Sequence, residues 1–262
     1  MIQIKTSAEI KKMEEGGEIL GDVLSQVLKK VEEGVSELEL DQFAQEQILK
    51  KGAYPAFKKV EGYRHSLCIA TNEVVVHGVP TDCRFKNGDV VGIDCGVYYK
   101  GFYTDMSETV SVSTNNKQQT TNNKDGIDRF LETGKSALDE AIGQAVAGKR
   151  VGNISQTIQN IIEGQGYSVV KSLIGHGVGR ALHEEPEVPG YLAGNIKDTP
   201  LLEKGMTIAI EVIYNMGKDE VVYKNKDGWT ISTKDRSISG LFERTVAIMA
   251  NGPKILTPFN HV

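Results

Sequence analysis

Aromatic residues are scarce in this chain of 262 residues: they form 6% of it, with a single Trp. Cysteine is scarce too, and Cys68, Cys83 and Cys95 make neither an even set nor a C-x-x-C pair. That argues against a disulfide framework or a thiolate zinc site and reads as reduced thiols in a cytoplasmic protein. No apolar stretch approaches the ~18 residues a membrane helix needs. Met1–Glu15 is amphipathic and charged and lacks the apolar region of a secretory leader. Nor is positive charge in excess. Lys and Arg number 30 against 35 Asp and Glu, a net charge of −5, which argues against a dedicated DNA or RNA binder. What is present is ordinary globular composition, 39% hydrophobic and 25% charged, too apolar for general disorder. The length suits one large domain, or two fused halves, with a sizeable core.

The apolar pattern divides the chain. Ile10, Met13, Gly17, Leu20, Leu24, Val27 and Val31 step by three and four, which predicts a helix with one apolar stripe. Gly16, Gly17 and Gly21 weaken such a helix, so close packing against a neighbour is their expected use. Ser36 with Glu39 fits a capping box opening a second helix through Leu38, Phe43 and Ile48. Strands are predicted at Asp89–Tyr98 and Phe102–Val112, joined at Tyr99-Lys100-Gly101. Ser113–Gly126 is polar and reads as a solvated loop or hairpin tip. Helical spacing returns at Ile127–Ala145 and Ile154–Ile162. Strands are predicted again at Tyr167–Ile174, Met206–Tyr214, Trp229–Thr233 and Gly240–Ala250. The order implies an α+β protein of two duplicated halves in a single domain spanning 1–262. The halves are about 1–113 and 127–262, with a polar connection over 114–126.

Acidic residues stand where strands should be apolar. Alternation places Asp94 on the face opposite Ile93, Cys95 and Val97. A two-residue turn within Tyr99–Gly101 brings Asp105 to the same face. Two close carboxylates repel, and stay ionised only with a cation between them. Two exposed acids on an edge hairpin are the competing reading. Glu211 interrupts Met206–Ile213, and Glu243 interrupts Leu241–Val246. A buried unpaired carboxylate costs several kcal/mol. Arg244 points to the opposite strand face and is a poor partner for Glu243. Structural salt bridges compete as an explanation for each Glu. In Gly175-His176-Gly177 the glycines read as clearance for a ligand near the backbone. Two Asp, one His and two Glu form a hard donor set suited to Mn²⁺, Fe²⁺ or Co²⁺. Four carboxylates exceed the need of one ion, so two divalent ions are expected.

Four stretches carry a resemblance. They are Thr71–Gly78, Ile93-Asp94 through Asp105, Gly175-His176-Gly177 through His183-Glu184-Glu185-Pro186, and Asp227–Thr230 through Asp235-Arg236-Ser237 to Phe242–Thr245. With these the chain resembles the bacterial type I methionine aminopeptidases over nearly its whole length. The resemblance implies a pita-bread (creatinase/aminopeptidase) fold, its pseudo-two-fold halves sharing a curved antiparallel sheet. It also implies a dinuclear centre of Co, Mn, Fe or Zn. Asp94 is expected on one ion, Asp105 and Glu243 bridging, and His176 and Glu211 on the other. The implied activity is removal of N-terminal methionine from nascent or new proteins by a metal-bridged hydroxide. Glu211 would move the proton, His183 would contact the substrate carbonyl, and His77 the peptide nitrogen or amine. Tyr63, Cys68, Leu182 and Trp229 would form the methionine pocket. Read singly, Cys68 is an inert buried thiol, Trp229 a loop anchor, and either His a structural one.

Leu182 and Val60 stand where the family usually has aromatics, so the pocket is expected to be wider or less selective. Leu241 replaces a usual Gln and Arg244 a usual His. Thr104 replaces the more frequent Gly and is similar to the Xaa-Pro peptidases. An Xaa-Pro aminopeptidase or dipeptidase is therefore one rival; a non-catalytic ribosome- or RNA-binding relative is another. The expected partners are peptides beginning with Met. A monomer is expected. Lys11-Lys12, Lys29-Lys30, Lys50-Lys51 and Lys58-Lys59 could face ribosomal RNA, with solvated helix ends as the competing reading.

Overall fold

The computed structural model describes residues 1–113 and 124–259. Helix α1, Ser7–Leu28, starts with a capping box between Thr6 and Glu9. Its stripe is buried, and two glycines in it have a clear use. A Cβ on Gly17 would lie 1.9 Å from the Leu256 carbonyl oxygen, and one on Gly21 2.0 Å from that of Pro258. The C-terminal segment crosses α1 at van der Waals contact, which only glycine permits. Helix α2, Glu37–Lys50, carries the expected Ser36–Glu39 capping box. Its buried face is Leu40, Ala44 and Ile48; Leu38, expected inside, is 36% exposed. The strands of this half are β1 (Tyr54–Pro55), β2 (Leu67–Thr71), β3 (Val74–Val76), β4 (Val90–Tyr99) and β5 (Phe102–Ser111).

The second half begins with α3 (Lys124–Ile142) and α4 (Val151–Gly164). Of the polar connection over 114–126, residues 114–123 lie outside the described residues. Residues 124–126 are the first turn of α3 rather than loop, with Asp125 at the helix N-terminus, where a negative charge is favoured. There follow β6 (Ser168–Val169), β7 (Gly175–Gly177), β8 (Glu184–Val188), β9 (Thr207–Asn215), β10 (Val221–Tyr223), β11 (Ile231–Thr233), β12 (Ser239–Met249) and β13 (Gly252–Ile255). The strand expected over Tyr167–Ile174 is shorter, because Lys171 and Ser172 turn out to solvent before the chain returns as β7. The strand expected from Trp229 starts at Ile231, because the Asp227 carboxylate accepts the Trp229 and Thr230 N–H groups at 2.8 and 2.9 Å. Strand β8 is acidic and contains Pro186, as only an edge strand tolerates.

Among the described residues, ten strands form one antiparallel sheet in the order β1–β4–β5–β12–β9–β7–β8, with β2 beside β4, β6 beside β9 and β13 beside β12. A smaller sheet, β10–β11–β3, joins the halves. Helix α1 packs on β4 and β5, and α3 on β9 and β12. Each half has its own core: Leu20, Leu24, Ile69, Ile93 and Met106 in the first, Phe130, Ile154, Ile210 and Phe242 in the second. This is the pita-bread α+β fold.

The halves meet where β5 lies beside β12, and hydroxyls replace part of the backbone ladder there. Thr245 Oγ1 accepts from the Asp105 N–H at 2.9 Å and donates to the Asp105 carbonyl at 2.8 Å. Thr109 Oγ1 accepts from the Leu241 N–H at 2.9 Å and donates to the Leu241 carbonyl at 2.7 Å. The two bridges are copies of each other, so the duplication missing from the sequence is written in the seam.

Candidate metal centre and substrate cavity

Each of five strands brings one donor to the face of the sheet away from the helices. Asp94 comes from β4, Asp105 from β5, His176 from β7, Glu211 from β9 and Glu243 from β12. The parity argument holds. Asp94 lies opposite Ser107 and Gly96 opposite Asp105, so both Asp share a face. The turn between them is Lys100-Gly101, with φ of +47° and +89°. Ligand atoms of Asp105, His176 and Glu243 all lie within 4.8 Å of one another. Asp94 and Glu211 line the same cavity of about 640 Å³, its mouth included, as do Tyr63, Cys68, His77, Leu182, His183 and Trp229.

The competing reading by salt bridges fails. Among the described residues no Lys or Arg pairs with these four acids. Arg244 turns to the helix side, as parity requires, and forms a buried ion pair with Glu108; its Nη1 donates to the carbonyls of Glu243 at 2.7 Å and Ser107 at 3.1 Å. Burial and mutual repulsion therefore outweigh the backbone hydrogen bonds and the distant charge of Arg244 that oppose them. Asp94 is raised well above the carboxylate range by burial and by Glu211, Asp105 by burial and by Asp94, and Glu243 by burial and by Asp105. Burial pushes Glu211 up to about 7. It pulls His176 down to about 4, with His183 adding to the effect, and lowers His77 and His183 as well. All three histidines are neutral near pH 7.

A carbonyl oxygen only accepts, so His176 Nδ1–H donates to the Gly177 oxygen at 2.9 Å, which leaves the Nε2 lone pair free for a cation. His183 lines the cavity on one side and is open to water on the other, its ring edge-on to His176 at 4.4 Å. The apolar end of the cavity is built on Tyr63, whose hydroxyl donates to the Leu67 carbonyl at 2.8 Å and whose ring meets Trp229 at 5.1 Å. Cys68 is buried there and its thiol is raised by that burial, so it packs and does not react.

The glycine readings need correction. A Cβ on Gly175 would lie 2.5 Å from the Ala209 carbonyl oxygen, and one on Gly177 2.2 Å from that of Glu185. These glycines admit neighbouring chain, not a ligand. Sequence reasoning also missed Phe57, which lines the cavity; one aromatic on a short turn carries no periodic signal. Of the lysine pairs, Lys12 lies over Phe102, Lys30 over Phe43 and Lys59 over Tyr98, while Lys51 pairs with Asp22.

A duplicated half-sheet with a central oxygen-rich donor set and an adjoining apolar pocket defines a metallopeptidase of the pita-bread class. Residues 11–248 match the metallopeptidase family M24. The chain is 40% identical to the methionine aminopeptidase of Clostridium perfringens over 98% of this chain and 99% of that one. It is 38% identical to methionine aminopeptidase 1 of Bacillus subtilis over the same shares. The methionine aminopeptidase structure from Thermotoga maritima superposes with a TM-score of 0.90 at 37% identity, covering 98% of this chain and 99% of that one. A prolidase from Pyrococcus horikoshii gives 0.75 at 27%, with 64% of that chain covered. The chain belongs to metallopeptidase family M24, within its methionine aminopeptidases. Among the described residues no helix is long and apolar enough to cross a membrane.

Proposed function

We propose that this peptidase removes methionine from the N-termini of newly made proteins and peptides, with Asp94, Asp105, His176, Glu211 and Glu243 holding two divalent ions. The residues fit such ions. Asp94 Oδ1 and Asp105 Oδ1 are buried without a hydrogen-bond partner, and four repelling carboxylates share a cavity whose described lining holds no Lys or Arg. When bound, divalent ions supply Lewis acidity, polarising a carbonyl and making water acidic near neutral pH.

The protein's own groups do the rest. Glu211 accepts a proton from the attacking water and returns it to the leaving amine. Neutral His183 donates a hydrogen bond to the scissile carbonyl oxygen as charge develops on it. His77, facing Trp229 at 6.5 Å, contacts the peptide nitrogen. Tyr63, Cys68, Leu182 and Trp229 enclose an unbranched apolar side chain and exclude water from it. A second depression shares His77, His176, His183 and Glu211 with the cavity and continues past Leu173, Ile174 and Glu187. It suits the remainder of a peptide.

The observation that carries this reading is the convergence of five donors from five strands beside one apolar pocket. The experiment is a peptide panel varied at positions one and two, run with different divalent ions. Release of Met from Met-Ala-Ser supports the reading; cleavage of Xaa-Pro peptides without Met release overturns it. Salt-dependent co-sedimentation tests the lysine pairs against ribosomes, and no binding at low salt removes that contact.

A further inference from the structure

The N-terminal segment closes over the turn that carries Leu182 and His183. Lys5 is 3% exposed and forms an ion pair with Glu184 whose side chain is also 3% exposed. Its seat is built for it. A Cβ on Gly179 would lie 2.3 Å from Lys5 Cε, and the Lys5 N–H donates to the Gly205 carbonyl at 2.7 Å. The other oxygen of Glu184 accepts from the Ala181 N–H at 3.0 Å, inside the turn. Arg180, one residue before, donates to Gln3 Oε1 at 2.7 Å and pairs with Glu9. From the other side the turn is tied to the sheet through the Gly179 carbonyl, which accepts from the Tyr103 N–H at 2.7 Å.

We propose that Lys5 and Glu184 form a clasp in which Lys5 is a positioning residue, holding the 179–184 turn so that His183 meets the scissile carbonyl. The inference rests on the role given to His183 above. His183 follows Leu182 and precedes Glu184 directly, and its exposed ring takes its place from the backbone of the turn. Neither charge of the pair can leave the other without a buried group losing its counterion. The first residues of the chain and the turn therefore move as one body. Without Lys5, Glu184 must bind a proton or swing toward water, and the turn follows it. A misplacement of about 1 Å at a reacting centre is worth up to ~10²-fold in rate.

The test is kinetics on Met-Ala-Ser with manganese-loaded protein. Lys5→Met is expected to lower kcat by about tenfold or more with KM within about twofold. Lys5→Arg restores most of kcat. In a His183→Ala background Lys5→Met costs less than about twofold, because the group it positions is gone. An unchanged kcat in Lys5→Met, or an equal loss in both backgrounds, overturns the clasp. A His183→Ala enzyme of full activity overturns the role of His183 and the clasp with it; a crippled one beside an intact Lys5→Met overturns the clasp alone. The chain has five histidines, so the imidazole proton signals of the metal-free protein give a second reading. Lys5→Met is expected to shift the His183 signal and leave that of His65, and no shift overturns the proposal. Should Lys5→Met not fold, Glu184→Gln, which keeps an acceptor for Ala181, takes its place in every arm.

Discussion

Glu108 and Arg244 are paired across the seam of the sheet, 136 residues apart, and each occupies the other's place in its own half. The same offset relates Ser107 to Glu243, which face each other across the seam, and Thr109 to Thr245. Asp94 lies opposite Ser107 and Glu211 opposite Glu243. Asp94 and Glu211 are thus counterparts, one from each half. The duplication has been used twice over: one copy of a strand position supplies an acid and the other a base behind the site, while the cavity side collects acids from both.

Arg244→Met strands Glu108 in the interior. Losing one partner of a buried pair costs about 3 kcal/mol or more, on the order of 10 °C in Tm for a chain of this size. The double variant Glu108→Leu/Arg244→Met is expected to recover most of that in a thermal melt. A single variant as stable as the parent would refute the pair's part in holding the seam.

Metal binding is expected to expel protons. Folded Glu211 titrates near 7 against 4.5 ordinarily, so between those values the metal-free folded chain holds more protons than the unfolded one and loses stability as pH rises. His176, at about 4 against 6.5, opposes this within its own window, where the unfolded chain binds more protons. Asp94, Asp105 and Glu243 are raised with Glu211 and set the net sign. The gain in Tm on adding manganese should be larger at about pH 7.5 than at about pH 5.5, and titration calorimetry should show proton release. Equal gains at both values contradict the ligand set.

Glu211→Gln keeps the shape and removes the proton acceptor. Its kcat for Met-Ala-Ser is expected to fall by about 10²–10⁴-fold, while the metal-free protein melts no lower than the parent because a repelling charge has gone. Stopped assays with metal quantified in each sample check both. Retained activity would move the proton-transfer role to another residue.

Leu182→Ala enlarges the apolar pocket. With one side-chain wall removed, KM for Met peptides should rise about tenfold and discrimination against branched first residues should weaken. A panel of first-position variants reads this directly. If Met and Leu substrates keep their ratio, Leu182 does not shape the pocket.

Much of the site was legible because strand parity is a local rule. Asp94 stands between apolar neighbours, Glu211 and Glu243 interrupt apolar strands, and Ser36–Glu39 announces a helix start, all within a few residues. Glycine was misread for the same reason. Gly177 looks like room for a ligand until β8 is seen lying against it. Strand β8 itself, acidic and holding a proline, carries no periodic signal, and Phe57 is a single aromatic on a turn.

From its sequence alone this protein has its strand faces, its helix starts and the chemical kind of its donors, since alternation and capping act between residues near in the chain. The tertiary structure alone decided that Arg244 answers Glu108, that Thr109 and Thr245 stitch the halves, and that Lys5 reaches Glu184. Those contacts join segments more than a hundred residues apart, and which of them meet is set by how two separate cores pack against one shared sheet. No local pattern encodes that.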